Sequence, residues 1–428
     1  MNRFTRRPTL RRSALILGLA AVSSLWLASA DRAHAEAQLL IDAATGKVLH
    51  AENATYPWYP ASVTKLMTTY TVLRAIKEGK ITFNTLLTVS KNAVAQQPTK
   101  MGFKLGTRVT VDNALKMLLV KSANDIAVTI AEGVGGSIDG FADMMNANAR
   151  RLGMSQSNFV NPNGLPAENH VTSARDLGIL ARALILEFPE DDFYWHIHSI
   201  KYGNRVIHNY NSLLDRYPGA DGMKTGFICA SGYNLVASAT RNGRRLIAIV
   251  LGAWSGGART QKAAQLLERG FNGGSLAWLT PSLGTVDALA PIDAQPPNLR
   301  DEMCGSHRRK PPSEANEEEE EEPAVAAAGE SGGQAFMLSS LKPAQGKFVL
   351  GPPVDTEPPV VVFTGPADHP DTIAKTVTAT KKARKKTAKK TKPAHDAKTD
   401  TKPDAKPVKP AAAKPAPKAK PKLSSAAQ

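Results

Sequence analysis

Between about Glu36 and Leu283, apolar residues recur with strand or helix period between turn signals, and outside those limits the periodicity is lost. The first periodic stretch, Q-L-L-I-D-A-A-T-G-K-V-L-H, predicts two short strands around a Thr45-Gly46 turn. The last, Y-N-L-V-A-S-A-T-R-N-G-R-R-L-I-A-I-V-L-G, predicts a longer hairpin, because Asn242-Gly243 supplies the positive φ angles a tight turn needs. Helical spacing runs through 62–78, 111–132, 138–152 and 173–187, and G-V-G-G at 133–136 reads as a helix stop. Strands at both ends with helices between predict an α+β fold, an antiparallel sheet flanked by helices with a helical subdomain. At roughly 250 residues, this body is large enough for a sizeable core.

Either side of that body the composition changes. The chain opens on basic M-N-R-F-T-R-R-P-T-L-R-R, then the apolar run S-A-L-I-L-G-L-A-A-V-S-S-L-W-L-A-S-A, with A-S-A at 28–30 and A-H-A at 33–35. Residues 1–35 therefore read as a secretory signal peptide, and the chain is expected in the periplasm or cell envelope. An uncleaved anchor is the alternative, which leaves membrane association open, although the run is short for a bilayer span. After the 36–283 body, prolines, glycines and the Glu317–Glu322 run mark 284–374 as a low-complexity linker, with V-V-V-F at 360–363 a stray strand. Residues 375–428 are a Lys/Ala/Pro-rich extension that buries too little apolar area to order itself.

The formal net charge of +16 belongs to that tail, where 17 Lys plus Arg face three Asp and give +14. Five arginines in the first twelve residues account for the remainder, so the folded body is near neutral and offers no broad basic face. The tail's expected partner is an anionic envelope surface, and export argues against nucleic acid. Two cysteines, Cys229 and Cys304, are too few for a disulfide-stapled scaffold. With Cys304 in predicted disorder, two free thiols are expected, Cys229 as a buried structural residue.

P-A-S-V-T-K at 60–65 sets Ser62 and Lys65 at i and i+3, on one face of a helix start. A serine hydroxyl needs an adjacent base to become a nucleophile. A lysine serves only if its pKa falls from ~10.4 to about 7–8, which asks for burial or a second cation. A chain this long carries about one or two S-x-x-K matches by chance, so the pattern alone decides little. K-S-A-N-D at 121–125 adds Ser122 and Asn124, a hydroxyl and an amide that read equally as a helix cap. D-G-M-K-T-G-F at 221–227 leads into the hairpin, where Lys224, Thr225 and Gly226 present a cation, a hydroxyl and bare backbone to an anionic, extended substrate. Alone, Lys224 reads as a surface lysine.

S-x-x-K, then S-x-N some 60 residues on, then K-T-G about 100 further, is the set found in penicillin-binding proteins and class A β-lactamases. Over roughly 36–275 the chain resembles the low-molecular-mass serine DD-peptidases, the penicillin-binding D-alanyl-D-alanine carboxypeptidases. The likeness extends to A-S-V-T-K-L-M-T, N-P-N-G-L-P, H-V-T-S-A-R-D-L and G-Y-N-L-V-A-S-A-T. It implies a DD-peptidase/β-lactamase-like fold, with peptidoglycan stem peptides as substrate, β-lactams as covalent inhibitors and no cofactor. It implies Ser62 as acylated nucleophile, Lys65 as general base and Ser122 as proton relay to the leaving D-alanine. Asn124 would hold the substrate backbone, Lys224 set the local potential, and Thr225 bind the terminal carboxylate, joined by Arg259 of S-G-G-A-R-T. The oxyanion hole would be the Ser62 and Phe227 amides.

Many members of that family carry a small β-rich domain and an amphipathic anchoring helix after the catalytic domain. Neither is readable here, which puts attachment by that route in question. A DD-endopeptidase would use the same residues. A class A β-lactamase would carry a glutamate in E-x-x-L-N between Ser122 and Lys224; none is there, and the second motif reads S-A-N. A non-catalytic envelope binder acting through the tail is the third alternative. No metal site is expected: the nine histidines include no H-E-x-x-H, and His196-Ile197-His198 alternates as a strand does.

Overall fold

The computed structural model describes residues 36–273, 282–306, 350–352 and 357–371. The signal-peptide segment, the Glu317–Glu322 run and the 375–428 tail lie outside the described residues. β1 (Ala37–Asp42) and β2 (Val48–Glu52) form the predicted first hairpin. A single 3₁₀ turn, Ala61–Val63, then leads into α1 (Thr64–Lys77), which is buried along most of its length. β3 (Leu86–Thr88) and β4 (Arg108–Thr110) pair across the short α2 (Lys91–Ala95). Helices α3 (Val111–Val120), α4 (Asn124–Gly135), α5 (Ile138–Leu152) and α6 (Ala174–Glu187) complete the helical part.

Helices α3, α5 and α6 start where a side chain can accept from a free first-turn amide. Thr110, Ser137 and Ser173 each accept from the amide three residues on, at 3.3, 2.9 and 3.1 Å. One-turn α7 (Phe193–His196) precedes the hairpin of β5 (Ser199–Tyr202) and β6 (Arg205–His208), followed by α8 (Leu213–Arg216). Then come β7 (Ala220–Ile228), β8 (Gly232–Arg241) and β9 (Arg244–Ala253). Asn242 and Gly243, at φ 51° and 75°, turn β8 into β9 where the sequence predicts it. α9 (Gly256–Asn272) follows, then α10 (Arg300–Cys304) and β10 (Val360–Val362).

The main sheet is antiparallel throughout, ordered β2-β1-β9-β8-β7, so β7 is an edge strand. Alternate residues feed two cores, as strand pleating requires. Leu39, Ile41, Ile247 and Ile249 join the core with the helical part, whereas Leu40, Leu246, Ala248 and Val250 meet Ala263, Ala264 and Leu267 of α9. The hairpin residues are thus buried on both faces, and that is why their sequence is a continuous apolar run.

Three expectations are corrected. The helical stretch 111–132 is two helices, parted at Lys121–Ala123, where Ser122 adopts a left-handed φ of 57°. The cysteines are not free: Cys229 and Cys304 form a disulfide with Cα atoms 5.6 Å apart. Closing a 75-residue separation restricts the unfolded chain and stabilises the fold by about 4 kcal/mol in the loop-entropy model. Segments expected in the linker also pack on the body. Val286 is buried under Gly46 and Gly178, Leu299 and Met303 are buried, and β10 pairs in parallel with β5. Each segment supplies one or two apolar residues to an existing surface, too few for any periodicity to register.

His196 and His198 also depart from strand alternation. His196 closes a helical turn against Asp192 at 3.1 Å, while His198 bonds Asp215 at 2.5 Å, which raises its pKa. Among the described residues, no group of three His, Cys, Asp or Glu could hold a metal, and no helix is long and apolar enough to cross a membrane.

Candidate active site

Ser62 sits in the 3₁₀ turn ahead of α1, half-buried, after Ala61 at a left-handed φ of 49°. A non-glycine residue in that region costs energy that surrounding contacts must supply. Asn234 of β8 supplies them, its Nδ2 donating to the Tyr59 and Pro60 carbonyls at 3.0 and 3.1 Å. Trp58, buried, donates its indole N–H to Ser231 O at 3.1 Å and fixes the approach to the turn.

The i, i+3 spacing delivers Lys65 Nζ to Ser62 Oγ at 2.8 Å. Lys65 is fully buried and also donates to Asn124 Oδ1 at 2.9 Å and the Asn163 carbonyl at 2.8 Å. The amine is therefore fixed from three directions: its own helix, the start of α4, and the N-P-N-G-L-P loop. That loop must come close. Gly164 has φ 81°, and a Cβ there would overlap the Ala61 carbonyl.

Ser122 lies in the break between α3 and α4, and its hydroxyl is buried without a hydrogen-bond partner. A buried polar atom left unpaired costs free energy, which marks it as aimed at something that arrives later. Thr99 holds the break from outside, donating its hydroxyl to Ser122 O at 2.9 Å and accepting Asn124 N–H on its carbonyl at 2.8 Å. Asn124 Nδ2 donates to Gln97 O at 3.0 Å, so one lone pair of its carbonyl oxygen remains beside Lys65 for a substrate N–H.

On β7, Lys224 and Thr225 are both buried; Lys224 Nζ donates to Thr225 O at 3.1 Å, and Thr225 Oγ1 has no partner. Gly226 pairs with Asn234 across the ladder, and a Cβ on it would lie 2.8 Å from Ser62 N and 2.9 Å from Val63 N. The edge strand is thus laid directly against the Ser62 turn. Phe227 stacks on Tyr233 with ring centroids 4.4 Å apart. Arg259 is buried at the start of α9, its guanidinium 5.7 Å from the Tyr233 ring centroid and 3.4 and 3.5 Å from the Asn234 and Tyr210 carbonyls. Tyr210 also accepts from Lys121 at 2.7 Å, which ties the Ser122 segment to the Arg259 side of the cleft.

The structure thus gathers Ser62, Lys65 and Asn124 into one bonded set and lays Gly226 against it. Sequence reasoning gave no role to Asn163 or Asn234. The first acts through a backbone carbonyl, which any residue carries; the second lies in G-Y-N-L, whose spacing signals only a strand.

His170 joins the Asn163 loop to α1. Its Nδ1 accepts from Val160 N at 2.9 Å, so the neutral ring carries its proton on Nε2 and donates to Thr64 Oγ1 at 2.9 Å. Burial pushes the imidazole down to about 4. Between that value and the unfolded ~6.5, the unfolded chain binds a proton that the folded one rejects. Its contribution to stability is therefore complete above pH 6.5 and is lost as pH falls toward 4, by about 3 kcal/mol across the window. Chemical denaturation from pH 7.5 to 4.5 is expected to register this loss, and His170→Gln to flatten it. The same slope in that variant would exclude His170 as its origin.

Residues 26–255 match the model of peptidase family S11, described as D-alanyl-D-alanine carboxypeptidase. The D-alanyl-D-alanine carboxypeptidase DacC of Escherichia coli K12 is 36% identical over 282 residues, which span 60% of this chain and 70% of DacC. DacD of the same strain, likewise named a D-alanyl-D-alanine carboxypeptidase, is 39% identical over 247 residues, 55% of this chain and 63% of DacD. Penicillin binding protein 5 from Haemophilus influenzae superposes with TM-score 0.54 at 35% identity, covering 55% of this chain and 70% of that one. The chain spans about two thirds of the length of these relatives.

Proposed function

The chain belongs to the D-alanyl-D-alanine carboxypeptidase family, and on that premise we propose that it removes the terminal D-alanine from peptidoglycan stem pentapeptides through a Ser62 acyl-enzyme. The observation that carries the reading is Lys65 Nζ at 2.8 Å from Ser62 Oγ, buried and bonded to Asn124. Ser62 Oγ attacks the penultimate D-alanine carbonyl and gives its proton to neutral Lys65. The Ser62 and Phe227 amides take the developing oxyanion. As the C–N bond breaks, the proton passes through the Ser122 hydroxyl to the departing amine, and D-alanine leaves. Water then attacks the ester and gives its proton to Lys65, which returns it to Ser62 Oγ as the acyl C–O bond breaks and the acid leaves. Thr225 Oγ1, Lys224 and Arg259 hold the terminal carboxylate, which gives the partnerless Thr225 hydroxyl its acceptor.

β-Lactams are expected to acylate the same serine, in keeping with relatives named penicillin binding proteins. The basic and then apolar N-terminal run supports export to the envelope, where this substrate lies. Product analysis separates the alternatives. A pentapeptide stem is expected to yield tetrapeptide and free D-alanine, with slower opening of a cross-linked dimer. Preferential cleavage of the dimer would make the protein an endopeptidase, and rapid turnover of penicillin would make it a β-lactamase.

A further inference from the structure

The departing D-alanine is short: one carbon separates its carboxylate from the nitrogen that must gain a proton. In the proposed mechanism the carboxylate lies with Thr225 and Arg259, and the nitrogen takes its proton from Ser122. These groups come from separate parts of the fold, β7 and α9 on one side and the break between α3 and α4 on the other. A misplacement of one ångström between them can cost about 10²-fold in rate. Their separation therefore has to be held.

Tyr210 stands between them. It is 6% exposed, in the loop that joins β6 to α8. Its carbonyl lies 3.5 Å from Arg259 Nη2, and its hydroxyl accepts from Lys121 Nζ at 2.7 Å. Lys121 immediately precedes Ser122 and closes α3, its N–H donating to Met117 O at 3.1 Å. Its ammonium also lies 5.1 Å from the Tyr210 ring centroid, within cation–π range.

Both ends of this link are anchored. Buried Asn211 donates from Nδ2 to Gly222 O of β7 at 3.0 Å. Asn209 donates its N–H to His198 O at 2.8 Å and its Nδ2 to Ile197 O at 2.9 Å. Those bonds fix the chain on either side of Tyr210. At the other end, the Lys121 carbonyl accepts the Thr99 hydroxyl at 3.1 Å, the same hydroxyl that reaches Ser122 O. Ser122 holds a left-handed φ of 57°, which in a serine only surrounding contacts sustain. Thr99 braces that turn through its backbone, and the Lys121 side chain braces it against Tyr210.

We propose that Lys121 and Tyr210 are a positioning pair for protonation of the leaving group. They form a strut that sets the Ser122 hydroxyl at a fixed distance from the Arg259 side of the cleft, so that one amino acid fits between its carboxylate anchor and its acid. Neither residue touches the reacting atoms; both act through Ser122. This inference rests on the carboxypeptidase reading.

Two peptides test it, identical except that one ends in D-Ala-D-Ala and the other in D-Ala-D-lactate. They carry the same terminal carboxylate and form the same acyl-enzyme. An ester oxygen can leave as an alkoxide, whereas an amide nitrogen leaves only once it has gained a proton, so the ester depends far less on Ser122. The readout is kcat/KM for release of D-alanine or D-lactate by the full chain. Tyr210→Phe and Lys121→Met are each expected to lower the amide rate about tenfold or more, with the ester rate within about threefold of wild type. Lys121→Arg keeps a cationic donor and is expected to restore most of the amide rate. The ester rate also shows that each variant is folded around Ser62. Equal losses on both peptides would reduce the pair to general support of the cleft and overturn the strut, as would an amide rate unchanged in both variants. Release of product from neither peptide by the wild type would bring down the carboxypeptidase reading itself, and the strut with it.

Discussion

Lys65→Ala is expected to slow acylation of Ser62 by about 10³–10⁴-fold, near the top of what one general base contributes. Ser62→Ala, which lacks the attacking oxygen, sets the floor at no label. The geometry explains why this amine matters. Lys65 Nζ lies within 2.9 Å of Ser62 Oγ, Asn124 Oδ1 and the Asn163 carbonyl, so a neutral amine can donate to the last two and accept from the serine hydroxyl. Truncation removes the proposed proton acceptor and leaves these groups without it in a buried site. Lys65→Arg separates the two contributions. A guanidinium keeps the charge and the donors but does not lose its proton in proteins, so it cannot act as base. If Lys65 only supplied positive charge, arginine would restore much of the rate; as base, it restores little. Burst labelling with a fluorescent penicillin, followed by mass mapping, reads all three variants, and acylation within tenfold of wild type for Lys65→Arg would refute the proton-transfer role.

The second large effect is expected from a single methyl group. Gly226→Ala would set a Cβ 2.8 Å from Ser62 N, 2.9 Å from Val63 N and 3.2 Å from Pro60 O. All three are backbone atoms of a turn clamped by Asn234, so no flexible side chain can yield. Either β7 or the turn must move, and both carry amides of the proposed oxyanion hole. Losing one such donor costs about 10²–10³ in rate, and that is the drop expected here. Gly257→Ala is the matched control, because a Cβ at that helical position meets nothing within 4 Å. Acylation by Gly226→Ala at the rate of Gly257→Ala would show that the close packing of β7 on the turn is not needed for the chemistry.

Parts of this site were legible in the residues. Apolar runs in 37–42 and 232–253 bounded by turn signals pointed to the sheet, and Asn242-Gly243 to its hairpin turn, because few other residues adopt positive φ there. Ser62 and Lys65 were legible because helical spacing alone carries one to the other. The break at Ser122 was legible only as a cap reading of K-S-A-N, because the helical spacing runs through it and no glycine or proline marks it. Local preference favours helix there; Thr99, reaching in from another loop, favours the strained turn. The disulfide was hidden for a similar reason. Cys304 sits in polar sequence, and only the docking of Leu299 on Ala230 and the burial of Met303 bring it to Cys229.

By itself, then, the sequence determined what local periodicity and short-range spacing can encode: the strands, most helices, and the pairing of Ser62 with Lys65. Three motifs in the right order also named the family before any coordinate was known. Only the tertiary structure decided how those motifs meet: Asn124 on Lys65, Gly226 against the Ser62 turn, and Lys121 on Tyr210. The physical reason is range. Backbone dihedrals and i, i+3 contacts are set by neighbours in the chain, whereas the 2.8 Å approach of Lys65 to Asn163, 98 positions away, is set by how whole layers pack.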